Sequence, residues 1–460
     1  MRRAIGAAML VAGCFLGSVV WLRVHRPTPL APANLLLVTL DTLRADHCST
    51  YGYAHPTTPV LDTLGREGTV FEDAYTPTPT TGPSHSTLFT SGYPAAHGVL
   101  KNGYAMLAER RTLAEVLRGA GWQTGAVVSA FPLAARFGYG RGFEHFDDEF
   151  PVETASSPWN EWEGFRLRGG FDRRGDATTD RALAWLARTS PARPWFLWVH
   201  YFDPHAPYDP PPGYRRLVRD VGERWPAKPL DEQIVAYDAE VRFTDEQVGR
   251  LVREAETKGS SGGLLVVVAA DHGEGLMSHG WMEHGVNLYE ELVRTLLLVR
   301  WPGHVRAGQR LHAPVGLIDV APTVLALLGV PSTSMQPQGE DLSRVLGDGG
   351  APPANRLLFF QRRLYTERDQ QELAVGGEEF GVRMGAWKYV SASAQGPPEL
   401  FDLDQDPGET RNLHTRAADV EERLAATLQQ WVATQRGRPA GARSVDPDDV
   451  ARLRALGYVE

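Results

Sequence analysis

Several short clusters in this chain pair acids, imidazoles and hydroxyls at spacings that suit chemistry. Asp41 closes the stretch Leu37-Val38-Thr39-Leu40-Asp41-Thr42-Leu43-Arg44. A carboxylate at the end of a buried apolar strand is costly unless something pairs with it. A metal ion would do so, and so would a helix cap or a salt bridge to Arg44. Ala270-Asp271-His272-Gly273-Glu274-Gly275 sets an acid and an imidazole side by side after another apolar run. That is a good pair of metal ligands, and the glycines let the chain turn tightly past an ion. His279 and His284 follow on one loop. The Asp203-Pro204-His205-Ala206-Pro207 stretch is stiffened by its prolines, which would hold His205 in place.

Hydroxyls crowd Thr80-Thr81-Gly82-Pro83-Ser84-His85-Ser86-Thr87. Pro83 fits the first turn of a helix, which puts Thr81 just before a helix N-terminus. Backbone N–H groups and the helix dipole there suit an anionic ester. Capping of the helix by Thr80 or Thr81 is the simpler reading of the same residues.

The elements that must position these clusters are legible as alternating patterns. Short apolar runs at Leu35 to Leu40, Thr124 to Val128, Trp195 to Tyr201, Leu264 to Ala269 and Thr295 to Val299 read as buried strands. Helical patterns lie near Pro59 to Glu67, Leu113 to Ala120, Asp180 to Arg188, Gln233 to Thr257 and Ile318 to Leu328. The expected fold class is α/β: a large, mostly parallel sheet covered by helices on both faces, with ligands at the carboxyl ends of its strands. Asp41, Asp203 with His205, and Asp271 with His272 all fall at such ends. Beyond a linker at Gly347 to Asn355, Arg383 to Val390 and Pro398 to Leu403 read as strands of a small antiparallel subdomain, with helices at Ala417 to Arg436 and near Pro447 to Leu456. The expected division is an N-terminal segment and linker over 1–33, a catalytic domain over 34–346, a small subdomain over 347–436, and a linker with a tail helix over 437–460.

The 460 residues carry a net charge of -9, which gives no electrostatic case for nucleic-acid binding. With only Cys14 and Cys48, a cysteine metal cluster is excluded and a structural disulfide is not expected. Any metal must be held by oxygen and histidine nitrogen. Arg2 and Arg3 precede an apolar run from Ala4 to Leu22. That pattern predicts a membrane partner through this segment, as a signal-anchor with the body on the extracytoplasmic, periplasmic side. A cleaved signal peptide and a lipoprotein, through Val11-Ala12-Gly13-Cys14, are the alternatives. No protein partner is inferable.

Taken in order, these segments resemble the sulfatase family of the alkaline phosphatase superfamily. The resemblance runs through Asp41 with Arg44, Thr58-Pro59-Val60-Leu61-Asp62, the Pro83-Ser84 segment ending in Thr90-Ser91-Gly92, Asp203-Pro204-His205, Asp271-His272-Gly273, and His284-Gly285 with Tyr289-Glu290-Glu291. It ends in Trp387-Lys388 and Glu399-Leu400-Phe401-Asp402-Leu403 with Asp406-Pro407-Gly408-Glu409. Family members carry Cys or Ser, any residue, then Pro-Ser-Arg, and oxidise that Cys or Ser to formylglycine. Here Thr81 takes that place and His85 replaces the arginine, so no formylglycine is expected. Thr42 stands where a second aspartate is usual, and no Gly-Lys-x-His segment follows the Thr124 to Val128 run.

The remaining set is similar to the threonine-nucleophile branch, which includes nucleotide phosphodiesterases and phosphoethanolamine transferases. This resemblance implies Thr81 as nucleophile and metal contact, with Asp41, Asp271 and His272 as metal ligands. It also implies that Asn102 and His284 contact the phosphoryl group. His205 would join them in stabilising charge, and His284 or His205 would protonate the leaving group. The implied cofactor is a divalent ion, with Zn, Mn or Mg favoured over Ca. The substrate would be an anionic ester, either a phosphate mono- or diester or a related sulfate ester. The alternatives are a sulfuric ester hydrolase without formylglycine, a transferase of phosphorylated groups onto envelope lipid or glycan, and an inactive anion-binding homologue.

Overall fold

The computed structural model describes residues 32–441 apart from 152–160, 163–164, 167–169, 220–228, 348, 351–354, 364, 366–374, 376 and 393–395. Its main sheet has nine strands: β1 (Asn34–Leu40), β2 (Thr69–Tyr75), β3 (Gln123–Val127), β4 (His145–Asp147), β5 (Trp195–Tyr201), β6 (Leu264–Ala270), β7 (Arg294–Arg300), β8 (Gln309–Leu311) and β9 (Val315–Gly316). The spatial order is β8-β2-β7-β6-β1-β5-β3-β4, and β9 also pairs with β2. All pairings are parallel except those of β7 with β2 and with β6. The α/β expectation is met, with β7 as the antiparallel exception.

The central strands β1, β5 and β6 are buried along their whole length. Each therefore reads as a continuous apolar run rather than an alternation. Two apolar layers cover the sheet. One is built around Leu35, Leu37, Phe196, Trp198 and Val267, and the other around Leu36, Val38, Leu197, Tyr237 and Val266. Each fully buried side chain of this size contributes roughly 1.5–3 kcal/mol.

β2 does not announce itself in the sequence because Glu72 and Asp73 interrupt its apolar run. The register shifts between Phe71 and Ala74; Arg310 pairs with the Glu72 carboxylate, and Arg294 donates to the Glu72 carbonyl. The segment read as one strand from Arg383 to Val390 is a hairpin instead. Phe380–Met384 and Trp387–Val390 are antiparallel, joined at Gly385, whose φ is 59°. They lie between Leu357–Gln361 and Glu399–Asp402 in a separate four-stranded sheet. The helix Ala418–Gln435 packs Leu424 and Leu428 on that sheet, and Trp431 stacks on Phe359 at 4.6 Å.

The apolar run from Ala4 to Leu22 and the tail helix expected near Pro447 to Leu456 lie outside the described residues. Among the described residues no helix is long and apolar enough to cross a membrane. Even the 29-residue helix Pro229–Thr257 carries Asp238, Glu240, Arg242, Asp245 and Arg250. The expectation of a membrane partner is corrected accordingly, since no described element supports it.

Candidate active site

The site begins with strand register. Leu40 pairs with Tyr201 on one side and with Ala270 on the other, so β1, β5 and β6 end at the same level. Asp41 N–H donates to the Tyr201 carbonyl at 2.9 Å, and Asp271 N–H donates to the Leu40 carbonyl at 3.1 Å. The two carboxylates thereby leave adjacent strands side by side, both fully buried. Asp271 Oδ1 accepts the N–H groups of Thr42 (3.1 Å) and His272 (2.7 Å). Asp41 Oδ2 lies 3.2 Å from His200 Nε2. Ser129 N–H donates to the other His200 nitrogen at 3.4 Å, which assigns the proton to Nε2.

That leaves Asp41 Oδ1 and Asp271 Oδ2 buried without a hydrogen-bond partner. Beside them, His272 Nδ1 donates to the Gly273 carbonyl at 2.8 Å, so its Nε2 presents a lone pair. This Nε2 is 3.4 Å from Asp271 Oδ2 and 3.8 Å from Asp41 Oδ1. Burial pushes both aspartates up, Asp271 further because Asp41 is beside it, and pushes His272 well down. Two orphaned carboxylate oxygens and a neutral imidazole nitrogen within 4.8 Å of one another fit a divalent cation. A cation there would offset the burial cost that raises the aspartates.

Thr81 is the first residue of the helix Thr81–Thr90, and Thr80 is its N-cap. Thr81 Oγ1 lies 3.4 Å from His272 Nε2, at the edge of the ligand group. Three contacts fix the helix there. Ser84 Oγ–H donates to the Asp271 carbonyl at 2.7 Å, Tyr139 O–H donates to the Gly82 carbonyl at 2.6 Å, and His85 Nδ1 lies 2.8 Å from the Thr81 carbonyl. The capping reading fails for Thr80, whose hydroxyl makes no cap and is buried unpaired. The idea of a backbone anion cradle is also narrowed. Gly82 N–H is taken by Asn102 Oδ1 at 2.7 Å, Pro83 has no N–H, and Ser84 N–H goes back to the Thr80 carbonyl at 3.0 Å. Asn102 is thus brought to the helix start with its amide oxygen engaged, which leaves Nδ2 as the donor end.

His284 and His205 complete the group. Their rings are 5.1 Å apart, and His284 is 4.5 Å from the His272 ring. His205 stacks on Phe202 at 4.3 Å, and its Nδ1 bonds the Ala206 carbonyl at 2.6 Å. His284 Nδ1 faces Glu274 Oε1 at 3.2 Å. Burial opposes charge on both rings. For His205 it wins and the pKa falls, whereas for His284 the Glu274 and Asp41 carboxylates outweigh it and the pKa rises.

Other residues singled out in the sequence stand apart. Arg44 does not pair with Asp41. It bonds Asp46 and holds the loop after His272 through the Glu274 and Gly275 carbonyls at 3.2 and 3.1 Å. Asp203 lies against Gly175, is pushed up to about 7 by burial, and is not in the ligand group. His279 stacks on Tyr289 at 3.8 Å and pairs with Glu291 at 2.7 Å.

The sequence reading missed His200, Glu274 and the part played by His85. His85 and His200 are buried and pushed down to about 3, so both are neutral braces rather than cations. His200 sits inside a strand buried on both faces, where alternation carries no signal. Glu274 had a signal, its place two residues after His272 on a glycine-flanked turn.

The sulfatase family matches residues 33–330, and the N-sulphoglucosamine sulphohydrolase C-terminal family matches 277–436. Arylsulfatase A of Homo sapiens is 27% identical over 487 aligned residues, covering 92% of this chain and 91% of that protein. The choline-sulfatase of Rhizobium meliloti (strain 1021) is 24% identical, covering 83% and 82%. The solved phosphonate monoester hydrolase from Silicibacter pomeroyi shares the fold with a TM-score of 0.69 at 23% identity, covering 90% of this chain and 100% of that one. With residues 33–330 matched as one domain and curated relatives aligned over most of their length, the chain belongs to the sulfatase family.

Proposed function

We propose that this sulfatase-family hydrolase cleaves phosphate esters, and less readily sulfate esters, through the Thr81 hydroxyl. The observation that carries the reading is the placement of Thr81 Oγ1 against the Asp41, Asp271 and His272 group. Those three side chains would hold the divalent ion, and the mixed oxygen and nitrogen set favours Zn, Mn or Mg over Ca. When bound, such an ion lowers the pKa of a neighbouring hydroxyl and polarises the ester oxygen.

Thr81 gives up its hydroxyl proton to solvent as Oγ attacks the central atom of the ester, and the bond to the leaving alcohol or phenol breaks. The leaving oxygen takes a proton from His284, which Glu274 orients and biases toward the protonated form. Asn102 Nδ2 donates toward the oxygens that gain charge, whereas neutral His205, with its Nδ1–H spent on the Ala206 carbonyl, turns Nε2 to the site as an acceptor. Water then attacks the Thr81 ester and gives one proton to His284; the bond to Thr81 Oγ breaks, Oγ takes back a proton from solvent, and threonine and the free anion are regenerated. A threonine hydroxyl yields an ordinary ester rather than an aldehyde hydrate, which is why phosphate is placed ahead of sulfate. A phosphonate monoester hydrolase among the fold neighbours is consistent with phosphorus chemistry on this scaffold. An extracytoplasmic location belongs to the same proposal and rests on the arginine-preceded apolar run alone.

The test is a panel of aryl phosphate, phosphodiester, phosphonate and sulfate esters, assayed after chelation and again after adding Zn, Mn or Mg. Activity should vanish on chelation, return with metal, and be highest on a phosphorus ester. Full activity in protein shown metal-free by elemental analysis would refute it.

A further inference from the structure

Among the described residues, the first strand of the small C-terminal sheet reaches the segment that leads to Thr81. That strand ends at Gln361, whose N–H donates to the Pro77 carbonyl at 2.8 Å, four residues before Thr81. The following residues are held from the other side. Arg362 Nη1 donates to the Val286 carbonyl at 3.3 Å, and Tyr365 O–H donates to the Gly285 carbonyl at 2.8 Å. Arg363 is carried between these two anchorages. A Cβ placed on Gly285, the residue after His284, would lie 3.3 Å from both Cδ and Nε of Arg363 and 3.6 Å from the Pro79 carbonyl oxygen. The Arg363 guanidinium sits 4.4 Å over the Tyr365 ring, which fixes its direction.

Two buried carboxylates lie at the centre of the site, so an anionic group needs a cation at its rim. Glycine at 285, with φ at 87°, keeps the space that Arg363 crosses.

We propose that Arg363 is the specificity-determining cation of this site, binding the anionic group of the ester and favouring doubly charged phosphate monoesters over singly charged esters. This rests on the reading of Thr81 as the reacting residue, and it makes the C-terminal sheet part of the substrate pocket. Arginine suits the task because its planar fork bonds two oxygens of one phosphate.

The test compares Arg363→Ala, Arg363→Gln and Arg363→Lys in the full chain loaded with metal. The readouts are KM and kcat for an aryl phosphate monoester and for the matching singly charged diester, and inhibition by inorganic phosphate. Arg363→Ala and Arg363→Gln should raise the monoester KM and weaken phosphate inhibition by roughly tenfold or more, the scale of one charge-assisted hydrogen bond. The diester should change several-fold less, kcat should move little, and Arg363→Lys should recover part of the loss. Unchanged phosphate inhibition, or equal losses on both esters, would overturn the proposal. Failure of the underlying reading is separable, because it shows as full turnover by Thr81→Ala, whereas the phosphate comparison needs no turnover by that residue.

Discussion

Asp41 and Asp271 each keep one buried oxygen unpaired, and each has its other oxygen pinned by a neighbour. This division of labour makes the second rank of residues testable. His200 touches no ester in this scheme, but its Nε2–H orients Asp41. His200→Ala should therefore weaken metal affinity by roughly 10–100-fold, the usual cost of losing such a partner. Calorimetric titration of chelated protein with Zn or Mn measures it, and unchanged affinity would show that Asp41 needs no such support. The candidate metal group was expected from the family resemblance, with polar residues at the ends of apolar runs as its local signal, and the structure brings Asp41, Asp271 and His272 together. The braces were not expected. His200 and His85 look like ordinary buried histidines until the register places them beside Asp41 and Thr81.

Elements rather than single residues decide how the loop after β6 is held. Gly273 passes so close to the chain before β7 that a Cβ there would collide with the Glu291 carbonyl oxygen. That contact is backbone against backbone, so no rotamer change relieves it. Gly273→Ala should displace His272 and abolish metal-dependent activity, while the rest of the fold keeps its circular dichroism. Retention of metal affinity by this variant would mean the loop has a freedom the packing denies. Elements with one clean pattern were readable: the helical period of Pro59–Glu67 and the unbroken apolar run of Trp195–Tyr201 have the bounds that the patterns predict. β2 was not, because charged residues at a bulge break the run. The hairpin at Gly385 was merged into one strand because glycine between two apolar pairs leaves little punctuation.

For the molecule as a whole, the joint between the two sheets is a buried ionic knot. Lys388 of the small sheet lies with its Nζ 3.0 Å from Glu290 and 2.8 Å from Glu409; Lys388 and Glu409 are buried and Glu290 is partly so. Glu409 also accepts the Glu290 N–H at 2.6 Å, and Tyr75 O–H donates to Glu290 at 2.7 Å. Removing the cation strands two carboxylates out of water. Lys388→Met should destabilise the protein by about 3–5 kcal/mol, read as a lower denaturant midpoint. A loss under about 1 kcal/mol would mean the acids are neutral there, as surface-like pairs would also give. The two-sheet plan was foreseeable from the change in composition near residue 350, but this knot was not, because its members lie about 100 residues apart.

These scales converge on the Thr81 hydroxyl, and the turnover of Thr81→Ala on the best ester of the panel tests it most directly. Thr80→Ala is the internal control, since the Thr80 hydroxyl is buried and makes no hydrogen bond. The nucleophile reading predicts a loss of roughly 10³-fold or more in kcat for Thr81→Ala, near-normal turnover for Thr80→Ala, and intact binding of inorganic phosphate in both. Turnover by Thr81→Ala close to that of the unaltered protein would contradict it.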